Sequence, residues 1–380
     1  MSRTGTSILP LHYGHPPEYL YRRMVKLSGL ISDLIIEKFG SEHLLQNIAD
    51  PFWFHSLSLA TGFDWNSSGT TTATLSALKE YYSKKGDNIV IIGGKGKQMG
   101  KLAEDLNSAV DMGFISDQKA QSLRRNAKDL AKADNNLLQD TYDLYLQFVV
   151  LDGKGRWSLV QQGMNSSLRM ARRYHWIYNT ASERLNDGRS GISTKKIVEE
   201  ALDLTTKFSE RNRRDMVELA REGAHKYYYS VATDKQKTLD SFSRDEPVLR
   251  LDYKINWKKM RELYEYQPKD FDELSNFTGI GKSTIRALSY LAEVIYDDRP
   301  SFVDPVKFSF ALGGKDGVPK PVNVSDYDKA IEFYDELLHG SDHRKIILDN
   351  IAKGMAHYSY LATSGVHRVN NGNAGSYGEQ

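Results

Sequence analysis

The sequence predicts an α+β fold in which a mixed α/β domain of residues 1–190 precedes an all-helical domain of residues 191–360. Three observations carry this prediction. An amphipathic pattern opens the chain at residues 18–39, two strand-like runs flank a glycine-rich turn within residues 144–163, and two short helical patterns flank a Thr-Gly-Ile-Gly-Lys turn at residues 278–282.

In the first domain, apolar residues recur every three to four positions over residues 18–39, which predicts an amphipathic helix. Residues 88–93 form a short apolar run typical of a buried strand. Residues 117–131 and 134–145 predict helices with exposed lysine and arginine. The runs LYLQFVV and WSLVQQG, on either side of LDGKGR, predict a β-hairpin, and residues 167–181 are expected to return to helix.

In the second domain, residues 195–229 predict one or two long charged helices, and the chain is expected to stay helical to about residue 360. Residues 361–380 are rich in glycine and asparagine and have no periodicity, so we expect this tail to be disordered.

The composition is that of an ordinary globular protein, with 40% hydrophobic and 26% charged residues among 380 and a formal net charge of +2. The chain has no cysteine, which excludes disulfides, thiolate nucleophiles and cysteine-ligated metals. No apolar run has the length of a signal peptide or a membrane span. We therefore expect a soluble cytoplasmic protein without a membrane partner.

The turn at residues 278–282 is suited to holding a phosphate. Gly279 and Gly281 permit positive φ and close approach, and the amides that follow Gly281 open a helix, where the dipole favours an anion. The stretch resembles the helix-hairpin-helix motif of DNA repair and recombination proteins, which grip the DNA backbone. The predicted DNA-binding residues are Gly279, Gly281, Lys282, Ser283 and Thr284, with Lys95 of a glycine-lysine loop added. Alternatively, the turn is a glycine-containing corner in a helical core.

Carboxylates in the first domain are the candidates for a Mg²⁺ or Mn²⁺ site. Asp64 lies between Phe63 and Trp65 ahead of a hydroxyl-rich stretch, where a carboxylate is costly unless paired or metal-bound. On the predicted helix 134–145, Asp140 and Asp143 would share one face and a divalent cation. Glu80 is a further possible ligand. The alternatives are that Asp64 caps a helix and that Asp140 and Asp143 are surface acids.

Polar residues also follow the predicted hairpin. Gln161 and Gln162 end its second strand, where buried amides need partners, and Arg172, Arg173 and His175 come next. We expect Gln162, Arg172 and His175 to orient a polyanion, with His175 as a general acid or base. The alternative is a satisfied structural network.

Asp304 supports a rival interpretation. It follows Gly281 at a separation comparable to that of the catalytic aspartate in DNA glycosylases built on the same hairpin, which it resembles in this respect. The position of the lyase lysine in bifunctional members of that superfamily is occupied here by Ser283 and not by Lys282.

Several motifs in order, among them DPFWF, GFDWNSSGTTT, GGKGK, LVQQGMN and ARRYHW, resemble the prokaryotic, mainly archaeal family termed domain of unknown function 763. The similarity extends to about residue 360. The resemblance implies no established reaction.

The leading hypothesis from the sequence is a metal-dependent DNA nuclease for repair or recombination. Asp64 and Asp140 would hold Mg²⁺ or Mn²⁺ with help from Asp143 or Glu80, and the hairpin would hold the DNA backbone. The alternatives are a DNA glycosylase that uses Asp304, and a non-catalytic DNA-binding adaptor that recruits a helicase or another repair protein.

Overall fold

The computed structural model describes residues 16–61, 68–86, 88–193, 200–223, 256–306 and 331. Asp64 and the tail of residues 361–380 lie outside these ranges. The helices are Glu18–Phe39 (α1), Ser41–Ala49 (α2), Pro51–Ala60 (α3), Ser68–Lys85 (α4), Leu102–Asp111 (α5), Asp117–Lys132 (α6), Glu210–Glu222 (α7), Trp257–Tyr266 (α8), Phe271–Asn276 (α9) and Lys282–Tyr296 (α10). The strands are Ile89–Lys95 (β1), Leu138–Gln139 (β2), Asp143–Asp152 (β3), Trp157–Asn165 (β4), Met170–Ile177 (β5), Gly191–Ser193 (β6) and Leu202–Asp203 (β7).

The prediction of a fold that combines helices with strands is confirmed, and the sheet is antiparallel throughout. Its five strands run in the order β1-β3-β4-β5-β6, and β2 pairs with β7 separately. The predicted hairpin is β3 and β4, with Val149 opposite Leu159. The first predicted helix is α1, which ends at Gly40, where φ is +86° and the amide donates to the Ile36 carbonyl.

Both faces of the sheet are covered by helices. Leu146, Phe148 and Val160 pack with residues of α1 to α4 on one face, which we call the α4 face. Val149, Leu159 and other large side chains pack with α5 and α6 on the opposite face, the α6 face. Because side chains alternate along a strand, Gln162, Arg173 and His175 lie on the α4 face, whereas Gln161, Arg172 and Tyr174 lie on the α6 face.

Two predicted helices are wrong. Residues 134–145 form a π-helical turn, the short strand β2, a turn and the start of β3, with Thr141 at φ +71°. Residues 170–177 form β5. The strand pattern of β5 was hidden because its side chains are buried on both faces and are large or polar on both, so apolar and polar residues do not alternate.

Beyond β6, a separate core joins α7, α8, α9 and α10 to the middle of the chain. Met216, Leu263, Leu274 and Leu288 share this core with Leu137, Leu202 and Leu204. In the described part of residues 195–229, only α7 is a long helix, since residues 201–204 include β7. Of the helices placed by the structure, none combines the length and the apolar character that crossing a bilayer requires.

Candidate functional site

The predicted phosphate-binding turn joins α9 to α10. Gly279 adopts φ +92°, which only glycine takes readily, and Ile280 beside it is buried and anchors the turn. Gly281 is the extended residue that precedes α10, and as a glycine it has no side chain of its own to cap the helix. A Cβ added at Gly281 would meet no atom within 4 Å in the described structure. Thr278 and Gly279 are exposed, so this turn faces solvent.

The start of α10 is held against the end of the sheet. The Lys282 ammonium donates to Asp143 and to the Tyr142 carbonyl at 3.3 Å. The Lys282 carbonyl accepts from the Gln139 amide at 2.9 Å. Ser283 is half-buried, whereas Thr284 is buried and faces the core. Four of the five residues predicted to bind DNA at the α9–α10 turn thus retain solvent access, whereas Thr284 has little.

Lys95 lies near the same end of the sheet. It ends β1 and is paired in register with Leu146, three residues from Asp143. Its side chain is exposed, with the ammonium 5.6 Å from the centroid of the Tyr145 ring. The loop after β1 adds Lys97 and Lys101, both exposed. The α9–α10 turn and the glycine-lysine loop after β1 therefore lie near the same end of the sheet.

The carboxylates predicted to bind metal do not lie on one helical face. Asp140 is fully buried in the turn before β3, where it accepts from the Arg172 guanidinium at 2.9 Å and the Tyr174 hydroxyl at 2.8 Å. The Asp143 side chain is 81% exposed and bound to Lys282. Glu80 pairs with Lys84 at 2.6 Å on α4. Within the described ranges, no three acidic or histidine side chains form a cluster that fits a metal ion.

Arg172 instead joins two buried acids. Its guanidinium contacts Asp140 and makes two contacts to Asp304, at 3.0 and 2.7 Å, and all three side chains are essentially inaccessible. Burial disfavours the charged form, but attraction to Asp140 and Asp304 outweighs it and raises the pKa of Arg172. Asp304, the residue of the glycosylase alternative, is thus bound within this ion cluster.

A second buried pair lies nearby on the α6 face and was missed by the sequence analysis. Asp134 accepts from the Trp176 indole and from the Arg189 guanidinium, each at 2.7 Å. Asp203 accepts from the Thr205 amide at 2.8 Å. Burial raises the pKa of Asp134 to about 6, although attraction to Arg189 opposes the shift. No local pattern marks Arg189, whose partner is 55 residues away.

We expect Asp134 to make the folded protein less stable as pH rises. Its pKa is about 6 in the folded state and 3.8 for an aspartate in the unfolded chain, so the folded state binds the proton more tightly. The resulting stabilisation is complete below pH 3.8 and is lost as pH rises through 6. Urea unfolding of the natural protein and Asp134→Asn should show a stability difference that changes by roughly 2 to 3 kcal/mol over this interval. A constant difference would contradict the shift.

The α4 face holds a different group, which we call the Arg173 cluster: Thr71, Gln162, Arg173, His175 and Ser193. Each of these five residues is completely buried. Arg173 donates to His175 Nε2 at 2.9 Å and to the Thr71 hydroxyl at 3.2 Å, and its guanidinium lies 4.6 Å from the centroid of the Phe54 ring. The Thr71 hydroxyl also donates to the side-chain amide oxygen Oε1 of Gln162 at 2.5 Å.

His175 is neutral in this arrangement. Burial lowers its pKa well below the usual value, and the adjacent Arg173 charge adds to the shift. Nδ1 lies 2.8 Å from the Ile48 carbonyl oxygen, to which it donates, and Nε2 accepts from Arg173. Both ring nitrogens are occupied, which leaves none free for the acid–base role predicted for His175.

The predicted catalytic residues therefore separate onto two faces of the sheet. Arg172 and Asp140 meet on the α6 face, and Gln162 and His175 meet on the α4 face. Thr71 and Ser193 complete the second group but were not predicted. The buried hydroxyl run before Thr74 in α4 was the available signal for Thr71, whereas Ser193 has no local signal.

A family model described as "Protein of unknown function (DUF763)" matches residues 5–322. Comparisons with curated proteins and with solved structures gave no significant match.

Proposed function

The chain belongs to the DUF763 family, whose description assigns no reaction, and on that premise we propose that the protein binds DNA through its sugar–phosphate backbone at the α9–α10 turn. The observation that carries the proposal is the open start of α10. A 15-residue helix is preceded by an extended glycine, which has no side chain of its own to cap the helix, and a Cβ added at Gly281 would meet no atom within 4 Å in the described structure. The first amides of a helix have no partner within the helix itself, and such a terminus suits a phosphate oxygen.

The charges around the turn favour a small footprint. Residues 256–306 contain 7 lysines and arginines against 9 aspartates and glutamates. The amides at the start of α10 and Lys282, together with the exposed Lys95 nearby, would then contact only a few phosphates. Such contacts position DNA without reading its sequence. We therefore expect weak binding that is sensitive to salt and indifferent to base sequence.

The test is fluorescence anisotropy of the full chain with labelled single-stranded, duplex and flap DNA of two unrelated sequences. We expect binding in low salt, equal for the two sequences, with a slope of log K against log salt of about −2 to −3. Absence of binding at low salt would refute the proposal, and a strong sequence preference would refute the backbone mode.

Metal-dependent cleavage of DNA with Mg²⁺ or Mn²⁺ stays a prediction of the sequence. Asp140 is neutralised by Arg172, and Asp143 and Glu80 are each bound to a lysine at the surface, so such a site would depend on Asp64. The same labelled substrates, incubated with either metal or with EDTA and separated on a gel, test it directly. Products that require the metal would establish the nuclease.

A non-catalytic adaptor for a helicase or another repair protein is favoured by one further observation. Val294 near the end of α10 is 81% exposed and Val303 is 73% exposed, which leaves apolar surface on the domain that contains the α9–α10 turn. We propose that this domain, residues 191–360, is all-helical beyond β6 apart from the short pairing of β7. We also propose that the protein acts in the cytoplasm.

A further inference from the structure

Arg173 is the starting point, because its buried charge is not matched by a carboxylate in the part of the chain that the structure describes. Arg172 contacts Asp140 and Asp304, and Arg189 contacts Asp134. Arg173 is equally buried, yet among the described residues it contacts a histidine, a threonine hydroxyl and, at 3.5 Å, the Pro51 carbonyl oxygen. A buried charge without an opposite charge is costly, and a guanidinium does not readily lose its proton.

The neighbouring strand presents a second unsatisfied group. Ser193 in β6 lies directly opposite Arg173 in β5, so the two side chains project from the same face of the sheet. Its hydroxyl is fully buried and has no hydrogen-bond partner in the described structure. Buried hydroxyls are almost always hydrogen-bonded, so an unsatisfied donor beside an unmatched cation indicates a missing acceptor with negative charge.

The remaining members of the cluster fix the orientation of these donors. Gln162 pairs with Arg173 across β4 and β5 on its other side, so that Gln162, Arg173 and Ser193 form one row across the sheet. Thr71 holds both Gln162 and Arg173 from α4, and His175 receives the Arg173 Nε–H. Neutral groups thus orient one edge of the guanidinium, whereas within the described ranges Nη2 makes only the long contact to the Pro51 carbonyl oxygen.

We propose that the Arg173 cluster binds one phosphate monoester group, either a free phosphate or the phosphorylated end of a nucleic-acid strand. Arg173 supplies the charge and a forked donor, and Ser193 supplies a second donor. A phosphate monoester carries a charge of about −1.5 to −2 with three acceptor oxygens, which exceeds what a carboxylate offers. Complete burial favours a terminal or free phosphate over an internal phosphodiester, which carries chain on both sides.

The decisive experiment compares two serines whose hydroxyls have no hydrogen-bond partner in the described structure. Ser158 in β4 projects onto the same face, is fully buried and lacks a hydrogen-bond partner among the described residues, but lies four residue pairs along the strands from the Arg173 row. Ser193→Ala and Ser158→Ala should both leave the melting temperature equal or higher without ligand, because each removes an unpaired donor. Inorganic phosphate is then titrated against each full-length protein and followed by thermal unfolding and calorimetry.

We expect phosphate to raise the melting temperature of the natural protein by several degrees at saturation, and chloride at equal ionic strength to leave it unchanged. Ser193→Ala should weaken phosphate binding about tenfold, as loss of a hydrogen bond to a charged group does, and Ser158→Ala should leave it unchanged. Absence of a phosphate response in the natural protein, or an equal response in both variants, would overturn the proposal.

Oligonucleotides of one sequence separate the two sources of phosphate. If the ligand is a strand end, a 5′- or 3′-phosphorylated strand should bind more tightly than its hydroxyl-ended counterpart, and Ser193→Ala should abolish that difference. If the ligand is free phosphate, the ends make no difference while the phosphate titration still responds. The phosphate titration does not rest on DNA binding by the α9–α10 turn, so failure of either proposal is recognised separately.

Discussion

The substitution Gly281→Asp is expected to weaken DNA binding at least tenfold while leaving the folded protein as stable or more stable. Aspartate is a better residue than glycine at the position that precedes a helix, because its carboxylate accepts from the first free amides. Gly281 already has the extended backbone that this role requires, with φ −118° and ψ −173°, and the space around it is open. The gain should be a few tenths of a kcal/mol to about 1 kcal/mol.

The same carboxylate would occupy the position proposed for a DNA phosphate. It would compete for the amides at the start of α10 and repel the phosphate, and a tenfold loss of affinity corresponds to about 1.4 kcal/mol. Gly281→Asn is the matched control, since its amide oxygen also caps the helix but carries no charge. Anisotropy titrations at one salt concentration should therefore give a much greater loss for aspartate than for asparagine.

The alternative interpretation of the turn as a corner in a helical core gives the opposite result. Both variants would then be stabilised by similar amounts, and neither would change DNA affinity. Because the variant fold is expected to be at least as stable as the natural one, a loss of binding cannot be attributed to unfolding. Urea denaturation of the same preparations provides that check.

The sequence predicted correctly those elements whose signal is local. The helix α1 and the hairpin of β3 and β4 have clear apolar periods, and the α9–α10 turn has Gly279 at φ +92°, where the backbone needs a glycine. The prediction for β5, which was expected to be helical, failed for a physical reason. Arg172 and Arg173 are both fully buried, on opposite faces, and burial of charged groups on both sides is not expected from the residue types.

The candidate sites were predicted as residues but not as groups. Gln162 was selected because buried amides need partners and His175 as a candidate general acid or base, and the structure places them together. Their grouping in space could not be predicted, because the face of the sheet to which each side chain points depends on the strand register. Ser193 lies in the same row because β6 pairs with β5. Asp140 and Asp143, in turn, were assigned to a helix that does not form, so their spacing had no meaning.

Replacing Arg172 by methionine is expected to destabilise the protein by about 3 to 5 kcal/mol, the cost of leaving buried charges unpaired. Arg172 is the cation between Asp140, in the turn before β3, and Asp304, in the segment after α10. Its loss would remove the guanidinium that contacts two carboxylates whose side chains are no more than 1% exposed. This is a large part of the 5 to 15 kcal/mol that holds a typical domain folded.

Two controls identify the mechanism of that loss. The triple variant Arg172→Met, Asp140→Asn, Asp304→Asn removes all three charges and should recover much of the stability, whereas loss of packing alone would not be recovered. Lys282→Met removes a pair whose acid is 81% exposed and should cost no more than about 1 kcal/mol. Urea unfolding at pH 7 measures these differences in stability, and a triple variant as unstable as Arg172→Met alone would contradict the ion cluster as the cause of the loss.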